Sequence, residues 1–472
     1  MKNKHENPDH HGVGHLARPD RPTAYSLSER FERLPFTSYQ RWLAVILATC
    51  FAADAVDLVM LSYLLSAITL DLGLTVQQAG IAGGSVFAGV GVGATAAGYL
   101  SDRFGRRKVL IHSMLIWGTA SLLTAFSWDI WSFSFFRFVT GLGLGAELPA
   151  VFALVAEIMP ANRRASISGW MHVASQSSVV LFTLASFGVI SLIGTSLGWR
   201  AMFVVMFVVA LAALYIRRNL PESPRWYEAS GRHDEAEHAM RRFEAAVADA
   251  YGKPLPSPKS GGKVVSAATE RGGFRTLFAP GYTQRTLFAW SLWFLFLLAY
   301  YGISVWVGKF LVDRGMSITA SIGTGVFITM AGIPAAWITG QAMERFGRKI
   351  VIIIALLCVA AAAFLYGQAS TYVLVVAAGA AMHFFLVSVA TAIYAYTPEL
   401  FPTRARSTGL GTASTVGRIA AVSGPLLISA LILKWDYTGA FIACALCFSA
   451  AALLVWWFGP ETQDRSIEDI SS

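Results

Sequence analysis

Long apolar runs, separated by short polar stretches, recur along this chain from about residue 43 to residue 458. Twelve of them reach or approach the length of about 20 residues that a helix needs to cross a hydrocarbon core. They lie near 43–66, 79–100, 109–126, 131–156, 165–190, 198–216, 286–308, 319–340, 350–367, 371–396, 407–430 and 437–458. At bilayer depth an open strand leaves backbone N–H and C=O groups without partners, so each run is predicted to be helical. The runs are too long for barrel strands and lack the alternation that a barrel requires.

Composition agrees with this reading. Residues are 55% hydrophobic and only 14% charged, against roughly 25% charged in a soluble domain. Lys and Arg in short loops favour the cytoplasm. The even-numbered connections hold Arg103, Arg106, Arg107, Lys108, Arg163, Arg164, Arg345, Arg348, Lys349, Arg404 and Arg406, the odd-numbered ones only Arg200, Arg314, Lys309 and Lys434. Both termini are therefore predicted to be cytoplasmic, in a cell inner membrane. The net charge of +9 reads as this topology signal and as contact with anionic lipid, without support for nucleic-acid binding.

Cys50, Cys358, Cys444 and Cys447 all fall inside predicted spans, and Cys444-x-x-Cys447 reads as packing. The polar first forty residues lack a cleavable signal pattern; His5, His10, His11 and His15 read as part of a tail rather than a metal site. The stretch Gly302 to Gly308-Lys309 resembles a phosphate loop, but it has five intervening residues and no following Ser or Thr, so nothing points to ATP hydrolysis. No cofactor, metal or enzymatic chemistry is expected.

The two halves of the chain repeat one another. Gly98-Tyr-Leu-Ser-Asp102-Arg103-Phe-Gly105-Arg106-Arg107 recurs, at an offset of 242, as Gly340-Gln-Ala-Met-Glu344-Arg345-Phe-Gly347-Arg348-Lys349. The same offset carries Glu157-Ile-Met-Pro160 onto Glu399-Leu-Phe-Pro402 and Arg164 onto Arg406. The predicted fold is an all-α membrane protein of twelve transmembrane helices in two pseudo-symmetric six-helix bundles. The expected organisation is a cytoplasmic tail (1–40), a first bundle (41–216), a cytoplasmic linker with a short helix (217–285), a second bundle (286–458) and a C-terminal tail (459–472).

With these motifs, and Pro221-Glu-Ser-Pro-Arg-Trp226 after span 6, the chain resembles the major facilitator superfamily. Arg137-Phe-Val-Thr-Gly141-Leu-Gly143-Leu-Gly145-Ala-Glu147-Leu-Pro149 and Pro398-Glu-Leu-Phe-Pro402-Thr are similar to its metabolite:proton symporter branch. Asp54-Ala-Val-Asp57 and Tyr300-Tyr301-Gly302 resemble the niacin and aromatic-acid transporters. The resemblance implies a monomeric secondary transporter, working by alternating access on a site midway between the halves, with protons and a small organic acid such as nicotinate as its partners.

Polar groups inside the spans mostly do not repeat: the offset places Phe296 and Ala299 opposite Asp54 and Asp57, Gly379 opposite Arg137, Val389 opposite Glu147, Ser414 opposite His172, and Gln176 opposite Arg418. An ionisable group in a span costs about 2.5–3.5 kcal/mol on insertion scales, so a functional role is the default. Asp54 and Asp57 share one helical face near mid-depth and read as proton carriers, or as an ion pair with Arg137. Glu147 reads as a proton relay or a packing anchor, and the neighbouring glycines as close helix packing. Arg418 reads as the partner of an anionic substrate, through its planar fork, or of an internal carboxylate. His172, Gln176 and His383 are candidate cavity-lining groups. Tyr300, Tyr301 and Trp306 form a candidate aromatic wall, with interface anchoring as the alternative for Trp306.

The repeated motifs read as a cytoplasmic gating network: Gly98, Asp102, Arg103, Gly105, Arg106, Glu157 and Arg164 in the first half, Glu344, Arg345, Arg348, Glu399 and Arg406 in the second. Two other functions fit the same features, a proton-coupled exporter of hydrophobic compounds and a transporter-like solute receptor.

Overall fold

The structure, a computed structural model, describes residues 25, 27–159, 164–218, 220–257, 277–401 and 406–462. A short helix α1 (Leu27–Glu32) precedes six long ones: α2 (Ser38–Leu72), α3 (Val76–Phe104), α4 (Arg106–Thr124), α5 (Ile130–Ile158), α6 (Arg164–Ile193) and α7 (Thr195–Arg217). Two shorter helices follow, α8 (Pro224–Ala229) and α9 (His233–Tyr251). The second half comprises α10 (Thr283–Ser304), α11 (Val307–Asp313), α12 (Ile318–Met330), α13 (Gly332–Phe346), α14 (Arg348–Gln368), α15 (Tyr372–Glu399) and α16 (Arg406–Phe458).

All twelve apolar runs fall on these helices. Among the described residues, nine helical stretches are long and apolar enough to cross a membrane, counting α10 with α11 and α12 with α13 as single stretches. One of them, Thr408–Phe458, has 51 residues, about 75 Å of helix at 1.5 Å per residue and more than twice a hydrocarbon thickness of about 30 Å. It turns at Asp436 (φ 57°, ψ −178°) and so holds the last two runs. The third and fourth runs lie on α4, which opens with Arg106, Arg107 and Lys108, and on α5.

Local chemistry sets the helix ends. Asp129 accepts the Ser132 N–H at 2.8 Å to start α5, the Thr37 N–H donates to Gln40 Oε1 at 2.9 Å at the start of α2, and Gly73 closes α2 in the left-handed region (φ 63°). Gly105 and Gly347 begin α4 and α14 at φ 100° and 89°, a backbone region that essentially only glycine enters.

α2 to α7 pack among themselves, as do α10 to α16. In the first half, Gly141 and Gly145 of α5 lie directly on the α3 backbone at Val86 and Val90, while Gly143 lies on α4 at Trp117. At the end where α2 terminates, Asp71 accepts from Ser196, from Trp199 Nε1 at 3.1 Å and from Arg200 at 3.0 Å, tying α2 to α7. The same offset of 242 leads to Asp313, which accepts from the Tyr437 hydroxyl at 2.6 Å and ties α11 to α16.

The halves meet where α3 packs on α16, α6 on α12 and α13, and α2 on α11. Gly80 lies on Ser429, Gly83 on Val305, Gly308 on Ser62, and Gly323 on Phe187; the Phe87 and Tyr301 rings meet at a tilt of 46°, centroids 4.1 Å apart. These contacts run from mid-depth to the end at which α2 terminates. Toward the opposite end, a Cβ on Gly169 or Gly411 would meet nothing within 4 Å.

Residues 27–32, inside the segment expected to be a polar tail, form a helix clamped to α9. Arg30, 4% exposed, bonds Glu237 at 2.5 Å and Glu244 at 2.6 Å, Arg33 bonds Glu244 at 2.5 Å, and Phe31 meets Phe243 edge-on at 5.3 Å. Leu27, Phe31 and Leu34 share an apolar cluster with Met240, Phe243 and Val247 and with Ile158 and Ile167 at the ends of α5 and α6.

Burial acts to raise the Glu244 pKa, but the hydrogen bonds from Arg30 and Arg33 outweigh it and hold the carboxyl below its ordinary value; Glu237 shifts the same way through Arg241 and Arg30. Groups with depressed folded-state values stabilise above the unfolded value, about 4.3 for Glu, and lose that contribution as pH falls through the folded values. Amide exchange in residues 27–32 is therefore expected to accelerate on acidification below about pH 4, relative to the spans. Protection unchanged through that range would show that the apolar contacts alone hold α1.

Candidate functional site

Five ionisable side chains are brought together inside the first half. Asp57, on α2, pairs with Arg137 of α5 at 2.9 Å, and both are 0% exposed. Ser121 of α4 donates to the Asp57 carboxylate at 3.4 Å, and the Arg137 guanidinium also lies over the Phe203 ring at 5.5 Å. Glu147 is ion-paired with Arg217, the last residue of α7, and both are buried. Arg217 further donates Nε–H to Cys50 Sγ at 2.6 Å and Nη1–H to the Leu110 carbonyl at 3.2 Å. Asp54 stands one helical turn beyond Cys50, 2% exposed, and neither of its oxygens has a hydrogen-bond partner among the described residues.

The two aspartates that the sequence presents as a pair thus have different surroundings. The i, i+3 spacing turns Asp57 toward α4 and α5, while Asp54 remains near α7. Arg217 was not singled out from sequence because it stands one residue beyond the predicted sixth span. Its signal was a cation closing an apolar run that lies, like Glu147, in the first half.

In the second half, Arg418 of α16 is 8% exposed and lies within hydrogen-bonding reach of the Tyr301 hydroxyl, with Tyr394 beside it. Among the described residues it forms no salt bridge. Tyr300 meets Tyr301 edge-on at 4.9 Å, and Tyr394 meets Trp293 edge-on at 4.8 Å. Arg418 is therefore set among aromatic rings, next to Gly91 of α3 in the other half. Tyr394 escaped the sequence reading; it follows His383 by eleven residues, three turns along one face of α15.

The helical hydrogen-bond pattern is interrupted between α12 and α13 at Ala331, whose backbone stays right-handed helical (φ −63°, ψ −22°), and there Gln176 of α6 and His383 of α15 converge from opposite halves. A Cβ on Gly332 would lie 2.8 Å from Gln176 Oε1 and 2.9 Å from His383 Nε2, and this buried nitrogen has no hydrogen-bond partner. His172 is four residues before Gln176 and sits edge-on to Phe51 at 5.0 Å. Trp306, 1% exposed, occupies the break between α10 and α11; a ring so buried does not anchor at a lipid interface. A crevice between α2 and α6, lined by Val56, Met60, Tyr63, Phe182 and Thr183, carries no charged group.

The repeated motifs interlock in each half. Arg106 meets Glu157 at 3.2 Å and Arg348 meets Glu399 at 3.3 Å. Arg103 and Arg345 lie over the neighbouring Phe104 and Phe346 rings at 5.4 Å each. Glu344 stands in the last turn of α13. The side chains of Gly98, Asp102, Arg164 and Arg406 lie outside the described residues, as do residues 160–163 and 402–405.

Two further carboxylates complete these corners. Glu222 accepts the N–H groups of Arg106 at 3.0 Å and Arg107 at 3.2 Å, and Glu461 accepts those of Arg348 at 2.9 Å and Lys349 at 3.1 Å. A carboxylate on the free N–H groups of a first helical turn is favoured by hydrogen bonding and by the helix dipole. Around Glu222, burial outweighs the donated hydrogen bonds and raises its pKa. The signal was legible: Pro221-Glu222-Ser223 is echoed by Pro460-Glu461-Thr462, at an offset of 239 instead of 242.

Residues 38–472 match the model of the family described as "Sugar (and other) transporter". The chain is 29% identical over 449 residues to the niacin transporter NiaP of Acinetobacter baylyi, covering 94% of this chain and 99% of that one. It is 26% identical over 430 residues to the 4-hydroxybenzoate transporter PcaK of the same organism, covering 89% and 92%. Among solved structures, the D-xylose-proton symporter superposes with a TM-score of 0.72 at 18% identity, covering 91% of this chain and 100% of that one. The fold is that of the major facilitator superfamily, whose members named here are transporters and not enzymes. Twelve apolar runs on helices, a duplicated half and a match across almost the whole length place this chain in the sugar (and other) transporter family, as a multi-pass membrane transporter of metabolites.

Proposed function

We propose that the protein is a proton-coupled symporter of the cell inner membrane that imports a small aromatic carboxylate, nicotinate in the first instance, by alternating access between its halves. The observation that carries this is Arg418: a buried guanidinium with no carboxylate partner among the described residues, flanked by Tyr301 and Tyr394. A planar fork beside aromatic rings suits a carboxylate on a ring. NiaP and PcaK are transporters of niacin and of 4-hydroxybenzoate, both aromatic carboxylates, which supports the same class.

Each helix then has a role. Tyr300, Tyr301 and Tyr394 hold the ring, and Gln176 with His383 reaches its polar edge from the junction of α12 and α13. Asp54 takes and releases the proton, because Asp57 and Glu147 are each ion-paired with a guanidinium whereas Asp54, among the described residues, is in no ion pair and accepts no hydrogen bond. The two bundles rock about this central site. With both termini in the cytoplasm, the closed end is periplasmic and the site opens inward. The Arg106–Glu157 and Arg348–Glu399 corners brace the cytoplasmic end of each bundle.

Labelled nicotinate is expected to accumulate in proteoliposomes under an inward proton gradient. Asp54→Asn is expected to abolish that accumulation while preserving counterflow exchange, which needs no net proton movement. Absence of uptake of both nicotinate and 4-hydroxybenzoate would remove the substrate class; accumulation unchanged in the variant would remove Asp54 as the carrier.

A further inference from the structure

Within the spans, the described residues bury six formal charges: the carboxylates of Asp54, Asp57 and Glu147 and the guanidiniums of Arg137, Arg217 and Arg418. Four of these close on one another, Asp57 with Arg137 and Glu147 with Arg217. The two left over have opposite sign and stand in opposite halves: among the described residues, Asp54 on α2 has neither oxygen bonded and Arg418 on α16 is in no salt bridge. Arg217 links Asp54 to the closed set, since it bonds Cys50 one turn away and acts on the Asp54 charge as well as on Glu147.

With every group ionised, the empty protein is balanced, three negative charges against three positive. An anion on Arg418 alone leaves one buried negative charge in excess, and a proton on Asp54 alone leaves one positive. An uncompensated charge in a low-dielectric interior is costly, whereas a compensated set is tolerated. Anion and proton together restore the balance.

We infer that this buried charge balance sets the coupling at one proton for each monovalent anion, and that Glu147 is a positioning residue for it although it touches neither. The inference rests on Arg418 as the anion site proposed above. The proton adds to an Asp54 carboxylate oxygen from one side of the membrane and leaves to the other, so empty and doubly loaded carriers reorient while singly loaded ones do not. Transport is then electroneutral: the accumulation ratio of a monoanion rises about tenfold for each unit of pH gradient and ignores the membrane potential.

The groups around Asp54 are Cys50 and Asp57 on its own helix, Arg137 and Glu147 from α5, Arg217 from α7, and His172 of α6, which packs against Phe51. Among the described residues, α3, α11 and α12 add no buried carboxylate, histidine, lysine or arginine. His172 is the other side chain here with a ring nitrogen able to take a proton, so His172→Gln tests whether Asp54 is the acceptor.

The test uses the purified full chain in weakly buffered detergent, with nicotinate as the probe and a pH indicator as the readout across a pH series. Wild type is expected to take up a maximum of one proton per nicotinate bound, and His172→Gln, at whatever affinity it binds, is expected to keep that ratio. Glu147→Gln removes one buried negative charge far from the anion, and is expected to bind nicotinate with no proton uptake and to carry net charge in proteoliposomes.

Zero or two protons per anion in wild type, or one in Glu147→Gln, overturns the inference and leaves the substrate assignment standing. Failure of wild type to bind nicotinate overturns the substrate assignment instead. Should Glu147→Gln not fold, the voltage-independence of wild-type accumulation decides: a response to membrane potential refutes one-to-one coupling.

Discussion

Asp57→Asn is expected to lower the unfolding free energy by about 3–5 kcal/mol, the usual result of removing one partner from a fully buried ion pair. The Arg137 guanidinium would keep its charge at 0% exposure and lose the contact at 2.9 Å. The Phe203 ring at 5.5 Å offers a cation–π contact, which at about 0.5–2 kcal/mol is too weak to replace the carboxylate. Asp57→Asn with Arg137→Gln together should recover part of the loss, because neither residual group then carries an unmatched charge. Thermal unfolding of the two single variants and the double variant in detergent gives the coupling energy directly. Additive effects would show that the pair contributes nothing beyond its separate side chains.

The second large effect belongs to Arg418. Truncating one partner of a buried, hydrogen-bonded charge pair costs about 2–5 kcal/mol, roughly 30-fold to several thousand-fold in affinity. Arg418→Gln is expected to weaken nicotinate binding within that range. Arg418→Lys, which keeps the charge and loses the planar fork, should recover only part of it. The neutral amide nicotinamide serves as the comparison ligand: its binding should respond little, since it presents no anion. Calorimetry on the purified protein measures all three. Equal losses for the acid and the amide would mean that Arg418 supports the site's shape rather than the ligand's charge.

These assignments differ in how much of them the sequence shows. The apolar helices are legible because hydrocarbon imposes one rule on every residue of a span, and the repeat because Gly105-Arg106 and Gly347-Arg348 must make the same corner twice. Arg418, Asp54 and Glu147 are visible as polar groups at apolar depth. Their partners are not. Glu147 faces Arg217, seventy positions later in the chain, through the packing of α2 against both α5 and α7, and no local pattern specifies that approach. The same limit explains why Asp54 and Asp57 read as equivalents although one is paired and the other is not.

Helix α1 shows a different limit. Its six residues are too few to read as a helix by periodicity, and isolated helices of that length are unstable in water. It exists because α9 supplies an apolar face and two glutamates, Glu237 and Glu244, that match Arg30 and Arg33.

Glu222 and Glu461 each lie just past the final helix of a half and reach back to the first turn of that half's third helix. Each bundle is thereby fastened shut by its own trailing residues, and neither borrows its fastener from the other. An ancestral gene encoding one such bundle would already have specified a closed unit, and its duplication would have delivered two finished modules needing only a tether. The covalent bridge between them would then be replaceable: two separately translated pieces, the first carried through α9, would keep both of these corners.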